Sequence, residues 1–247
     1  MNVDVAVPPL ACEGLSVRYG ATTVLENLTF WVPAGCVYAL LGRNGAGKSS
    51  LVRCLTGQMR ASAGRALLFG RDVWRDRASL MSRVGVVPEE PDAPPELSAA
   101  GLLRLTSRLH ERWDVAGAEE RLRRFGVPVG TRFARLSKGQ KGAVMLTLAL
   151  GHEPELLILD DPTLGLDVLA REAVFGEVIG ELADRGTTVL VTTHDLAAIE
   201  GIADRIGILR DGRLVVDEAL ETAKERFALP LERIFADVTA PAAGGSR

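Results

Sequence analysis

A chain of 247 residues is long enough to bury a full core, as one α/β domain or as a domain with a sizeable inserted lobe. Its 29 Lys and Arg against 32 Asp and Glu leave a formal net charge of −3, without the basic excess that nucleic-acid binders carry, so no nucleic-acid partner is expected. Cys12, Cys36 and Cys54 are odd in number, lack metal-ligand spacing and sit in or beside apolar stretches, as in a reducing compartment; with no run of bilayer length and no basic leader in MNVDVAVPPL, a cytoplasmic chain is expected, reaching a membrane only through a partner.

Leu10 to Val17 and Val24 to Val32 read as half-buried strands joined at the turn residues Tyr19-Gly20 and closed by Pro33-Ala34-Gly35, which predicts a small antiparallel layer at the start of the chain. Tyr19 falls just past the first strand, where its ring could stack on a nucleobase. An ordinary turn tyrosine fits the position equally well.

The stretch from Val37 to Thr56, VYALLGRNGAGKSSLVRCLT, enters as an apolar strand and leaves as a helix with Leu51, Cys54 and Leu55 on one face, ended by Gly57. Between them Gly42, Arg43, Asn44, Gly45, Ala46, Gly47, Lys48 and Ser49 have P-loop spacing, with Ser50 next. The glycines let successive N–H groups curl around phosphate oxygens at a helix N-terminus, Lys48 adds a point charge, and the Ser49 hydroxyl can complete the shell of Mg²⁺.

Gly64 to Phe69 with Gly70-Arg71-Asp72 reads as a strand and turn, and Val84 to Val87 as a short buried strand followed by the carboxylates Glu89 and Glu90. Pro91 to Pro95 breaks regular structure. Leu97 to Phe125 then has helical spacing, with Leu102, Leu105, Leu109, Leu122 and Phe125 against arginines at 104, 108, 112, 121, 123 and 124, and this predicts an inserted helical lobe over about 91–150. The arginines are expected on a solvated helix face. Leu136 to Lys141, LSKGQK, leads into the apolar run Val144 to Leu150: Ser137 is a plausible N-cap, and Gly139 and Gln140 would leave N–H groups free at a positive helix end. A capped helix with no ligand satisfies the same spacing.

Leu156 to Leu159 is a four-residue aliphatic strand ending in Asp160-Asp161, and an Asp leaving such a strand beside a P-loop can hold Mg²⁺. Leu164 to Asp167 reads as a loop, Phe175 to Leu182 as part of a helix ended by Gly186, and Thr188 to Thr192 as a strand ending at His194. Alone, His194 could equally be structural. Ile206 to Leu209 and Leu214 to Val216 flank Asp211-Gly212, a hairpin signal; Glu218 to Val238 reads as helical, so a C-terminal hairpin and helical tail are expected over about 205–247, with the last residues, APAAGGSR, disordered.

In this order, the motifs make the chain resemble the ATP-binding subunit of an ABC transporter over Leu10 to Val216, most closely that of the ABC-2 type exporters, whose branch the LSKGQ variant and Trp113-Asp114 resemble. The resemblance implies an α/β fold: a P-loop NTPase core with a mostly parallel sheet, an N-terminal antiparallel β layer and the inserted helical lobe, in one domain spanning 1–247. It assigns Tyr19 to adenine stacking, Gly42 to Ser49 to Walker A, Glu89 to the Q-loop position usually held by Gln, Asp160 to the Walker B aspartate, Asp161 to the catalytic glutamate position, Leu164 to Asp167 to the D-loop and His194 to the switch histidine. Leu136 to Gln140 match the LSGGQ signature with Lys138 in place of its first glycine.

ATP and Mg²⁺ are the implied ligands, with Ser49, Glu89 and Asp160 as the expected metal residues. A second ATP-binding subunit, identical or different, would pair head-to-tail so that Ser137 and Gly139 meet the phosphates held by the other chain. Integral membrane subunits would hold the assembly at the inner face of the cell membrane. The Asp at 161, one methylene shorter than the usual Glu, leaves two outcomes open, a backbone moved inward to compensate or slow hydrolysis, of which slow hydrolysis is the expectation. A soluble ABC-type ATPase or a slow ATP-gated clamp acting on a non-membrane partner is the alternative reading.

Overall fold

The computed structural model describes residues 7–163 and 168–240, so the expected loop Leu164 to Asp167 and the tail from 241 onward lie outside the described residues. In chain order the elements are β1 (Leu10–Tyr19), β2 (Thr22–Val32), β3 (Val37–Gly42), α1 (Lys48–Leu55), β4 (Ala63–Leu68), β5 (Arg71–Asp72), α2 (Val73–Leu80) and β6 (Val84–Val87). They continue as α3 (Ala99–Ser107), α4 (Val115–Arg124), α5 (Lys138–Leu150), β7 (Leu156–Asp160), α6 (Val168–Arg185), β8 (Thr188–Thr193), α7 (Leu196–Glu200), β9 (Arg205–Arg210), β10 (Arg213–Ala219), α8 (Leu220–Phe227) and α9 (Leu231–Thr239). Among the described residues the strands form two sheets, ordered β2-β1-β4-β5 and β10-β9-β3-β8-β7-β6.

The first sheet is antiparallel throughout, with Leu10 opposite Val32 in β1 and β2 and opposite Leu68 in β4. Tyr19 closes β1 opposite Thr22, so the two-residue turn is Gly20-Ala21 and not Tyr19-Gly20. In the second sheet β9, β3, β8, β7 and β6 run parallel and β10 antiparallel at one edge. Every residue of β3, β7 and β8 is buried, as expected for parallel strands covered on both faces. Within β3, Tyr38 and Leu40 face a core shared with β1, β2 and α1, while Val37, Ala39 and Leu41 face a second core with α5, α6 and α9. A third core, with Leu102, Leu122, Phe133 and Val144, lies within the helical lobe.

Because the parallel strands share one direction and register, their carboxyl ends fall along one edge: Gly42 pairs with Leu209, Leu41 with Thr193, and Asp160 with Thr192. Open α/β sheets bind ligands at this edge.

Four further local expectations are corrected. Leu97 to Phe125 is two helices, because Asp114 caps α4 by accepting from the Gly117 N–H while its own N–H donates to the Gly151 carbonyl at 2.7 Å. The Trp113 ring fills the space at Gly151, where a Cβ would stand 2.5 Å from it. α2 was not anticipated; Asp72, read as a turn residue, caps it by accepting from the Trp74 and Arg75 N–H groups. The stretch Glu218 to Val238 begins in β10 and then divides at Ala228, left-handed at φ 52, and Pro230. Arg121 leaves the expected solvated face: it is buried and donates to Glu177 at 2.8 Å and Glu181 at 3.0 Å, fastening α4 to α6. Breaking such a buried pair from one side costs about 3–5 kcal/mol, since the remaining charge is left unpaired.

Candidate functional site

The loop from β3 to α1 turns on an Ala46 N–H donating to the Arg43 carbonyl and on Gly47 at φ 107. A Cβ at Gly47 would stand 2.4 Å from Leu25 Cδ2, so both the dihedral and the close approach of β2 require glycine. Gly47 also has no side chain with which to cap α1, and the first-turn N–H groups of that helix are left for an external acceptor. Lys48 is buried, with its ammonium donating to the Gly42 carbonyl at 2.7 Å and, at 3.5 Å, to that of Arg43. Burial pushes its pKa below the usual lysine value, and Asp161, Asp160 and Glu89 oppose that shift through their charge.

Two buried carboxylates meet this loop. Asp160, the last residue of β7, accepts the Thr192 hydroxyl on Oδ1 at 2.5 Å. Burial raises its pKa, the Thr192 bond being the largest opposing influence, with Asp161 raising it further and Lys48 lowering it. Asp161 has the left-handed φ of 43, uncommon outside glycine. Its N–H donates to the Thr192 carbonyl at 2.9 Å and the Thr192 hydroxyl at 3.2 Å. Its Oδ1 accepts from Thr193 at 3.4 Å, and its Oδ2 lies 2.6 Å from His194 Nδ1.

Tyr19, Val24, Asn44, Gly45, Gly47, Lys48, Ser49, Ser50, Glu89, Asp160 and Asp161 line one pocket of about 400 Å³. Tyr19 is half-exposed, and its hydroxyl lies 3.4 Å from Ser50 Oγ and 3.2 Å from Met59 Sδ. Glu89 follows the end of β6. Gly42 and Ala46, expected among the binding residues, are not in this lining; they pack closely, a Cβ at Gly42 standing 3.1 Å from that of Ala46. The Arg43 side chain turns away and donates to Thr239 Oγ1 at 3.1 Å. The pocket thus combines backbone donors, one ammonium and three carboxylates beside an aromatic ring, which suits a polyphosphate carrying a base and an accompanying divalent cation.

Ser137, Gly139 and Gln140 stand apart from this pocket. Ser137 is exposed and caps α5 reciprocally: its hydroxyl accepts from the Gln140 N–H at 3.2 Å, and Gln140 Oε1 accepts from the Ser137 N–H at 3.1 Å. The Gln140 N–H, expected to be free, is therefore occupied, and Lys138 and Gly139 lead the exposed turn. From the sequence Thr192 is a strand residue and Thr193 begins the strand's end at Thr193-His194-Asp195, with no site role for either. Their hydroxyls reach the two carboxylates because β7 and β8 are neighbours, a pairing that neither strand's composition specifies.

Residues 25–164 match the protein family described as ABC transporter. Over 216 residues the chain is 33% identical to the bacitracin transport ATP-binding protein BcrA of Enterococcus faecalis, covering 87% of this chain and 70% of that protein. It is 36% identical over 220 residues to the daunorubicin resistance ATP-binding protein DrrA3 of Streptomyces coeruleorubidus, covering 87% and 69%. A solved structure described as the ATP binding subunit of an ABC transporter superposes with a TM-score of 0.84 at 33% identity, covering 93% of this chain and 99% of that one.

Proposed function

This chain belongs to the ABC transporter family, as one of its ATP-binding subunits, and on that premise we propose that the pocket beneath Tyr19 binds ATP with Mg²⁺ and hydrolyses it slowly to power export through separate membrane subunits. The observation that carries this reading is the convergence of Lys48, Ser49, Glu89, Asp160 and Asp161 on one pocket at the start of α1.

Tyr19 stacks on the adenine, and the N–H groups from Asn44 to Ser50 hold the phosphates with Lys48. On meeting the γ-phosphate the Lys48 ammonium exchanges the Gly42 carbonyl for phosphate oxygen. The oxygen donors of Ser49, Asp160 and Glu89, which line the same pocket, fit Mg²⁺ and would hold it, and the ion would supply charge neutralisation of the phosphates. Asp161 takes the proton of the attacking water as a bond forms between that oxygen and the γ-phosphorus, and the bond to the β–γ bridging oxygen breaks to release ADP. His194 holds Oδ2 of Asp161 and so fixes the direction of Oδ1. Asp161 is one methylene shorter than Glu, and a misplacement of about 1 Å in a positioned group costs roughly a hundredfold in rate, hence slow turnover.

Ser137 and Gly139 are exposed or half-buried and remote from the pocket, which supports a closed site built from two subunits, each presenting the first turn of α5 to the other's γ-phosphate. Among the described residues no helix is long and apolar enough to cross a membrane, so a position at the inner face of the membrane would rest on the membrane subunits. The test is Mg²⁺-dependent phosphate release from ATP by the purified chain. Lys48→Ala is expected to abolish release and weaken ATP binding, and native turnover by that variant would overturn the pocket assignment.

A further inference from the structure

Thr192 is fully buried at the centre of the strand edge and joins the backbone of one carboxylate residue to the side chain of the one before it. Its hydroxyl donates its single proton to Asp160 Oδ1 at 2.5 Å, and the same oxygen accepts the Asp161 N–H at 3.2 Å. The Thr192 carbonyl takes a second share of that N–H at 2.9 Å. A hydroxyl has one donor and two acceptor sites, so both directions can be satisfied at once. Register places it there: Asp160 of β7 pairs with Thr192 of β8, and Leu40 of β3 flanks Thr192 on its other side.

We infer that Thr192 is a positioning residue for both halves of the reaction, its one hydroxyl aiming the Asp160 carboxylate at the metal and pinning the backbone on which Asp161 faces the water. The inference rests on the assignment of Asp160 to Mg²⁺ given above. Occupying Oδ1 from behind leaves Oδ2 of Asp160 for the metal. Gripping the Asp161 N–H from two acceptors holds that residue at its φ of 43, a conformation that costs a non-glycine residue energy and persists only where its surroundings enforce it. Val has the shape of Thr without the hydroxyl, so Thr192→Val removes this linkage while filling the same space, whereas Thr192→Ser keeps it.

The experiment measures binding of Mn²⁺, as a spectroscopic substitute for Mg²⁺, to the chain loaded with a slow-hydrolysing ATP analogue, alongside affinity for the analogue without metal. Thr192→Val is expected to weaken Mn²⁺ binding about 10- to 100-fold, the range found when a group that orients a metal ligand is removed, with metal-free analogue affinity unchanged and Thr192→Ser restoring metal binding. Asp160→Asn, measured in parallel, should lose the metal outright. Native Mn²⁺ affinity in Thr192→Val, with loss in Asp160→Asn, would overturn the role of Thr192 and leave the site intact. Native affinity in Asp160→Asn would overturn the metal assignment itself. Should the Val variant fail to fold, Thr192→Ala serves the same purpose, and native metal affinity in it would likewise overturn the inference.

Discussion

Asp161 Oδ2 and His194 Nδ1 lie 2.6 Å apart, joining the residues that follow two neighbouring parallel strands. The contact leaves Asp161 Oδ1, held among the described residues by the long Thr193 bond alone, as the oxygen that can turn toward a water. General-base assistance is worth roughly 10²–10⁴ in rate, so Asp161→Asn and His194→Ala should each lower kcat by at least about a hundredfold with little change in ATP affinity. Asp161→Glu is expected to raise kcat. Steady-state phosphate release decides it: a Glu variant slower than the native chain would mean that the site is shaped around the shorter side chain.

Glu89 places a negative charge in the pocket close enough to act on Lys48. Glu89→Gln should therefore change the Mg²⁺ concentration required for half-maximal turnover, while ATP affinity in the absence of metal changes much less. A superimposable Mg²⁺ titration would place Glu89 outside the metal's surroundings.

The exposed capping box at Ser137 predicts a surface that completes a partner's site. With a slow-hydrolysing analogue and Mg²⁺, native chain at high concentration should sediment as a dimer. Ser137→Arg should remain monomeric, since it sets bulk and a long side chain at the turn that must approach phosphate. If the variant dimerises normally, α5 does not form the contact; if the native chain stays monomeric under every nucleotide condition, it does not pair with itself.

An acid-sensitive element lies away from this pocket. His152 is buried, its ring stacks on His110 at 4.1 Å, and among the described residues neither of its ring nitrogens has a hydrogen-bond partner of good geometry. Burial first, then the neighbouring His110, push its pKa down to about 4, with the Val84 and Leu148 backbone opposing weakly. The folded state thus keeps the ring neutral, and the unfolded chain takes up a proton from about pH 6.5 downward. Stability present above that value is lost as the pH falls toward 4, by up to about 3 kcal/mol. Urea midpoints between pH 7 and 4.5 should fall less steeply for His152→Phe than for the native chain, and equal slopes would remove His152 as the cause.

The strand edge was legible because fully buried parallel strands leave short unbroken apolar runs, as at Val37 to Leu41 and Leu156 to Leu159, each ending in the residues that form the pocket. The hairpin at Asp211-Gly212 was legible for a different reason: both residues hold positive φ, which few residue pairs tolerate. What could not be read were features decided by distant neighbours. The break between α3 and α4 depends on Trp113 and Asp114 meeting Gly151, and the burial of Arg121 on carboxylates some 56 to 60 positions later in the chain. Local periodicity carries no trace of either. The contacts of Thr192 and Thr193 escaped in the same way, since they exist only once β8 is placed beside β7.

The hold of Arg43 on Thr239, reinforced by Arg210 donating to the Val238 carbonyl at 2.9 Å, means that the close of α9 is spliced into the loop between β3 and α1, proposed above to hold phosphate, across 196 positions of sequence. Shortening or fusing the chain at that helix would consequently be felt as a change in grip on nucleotide, not merely as a trimmed end.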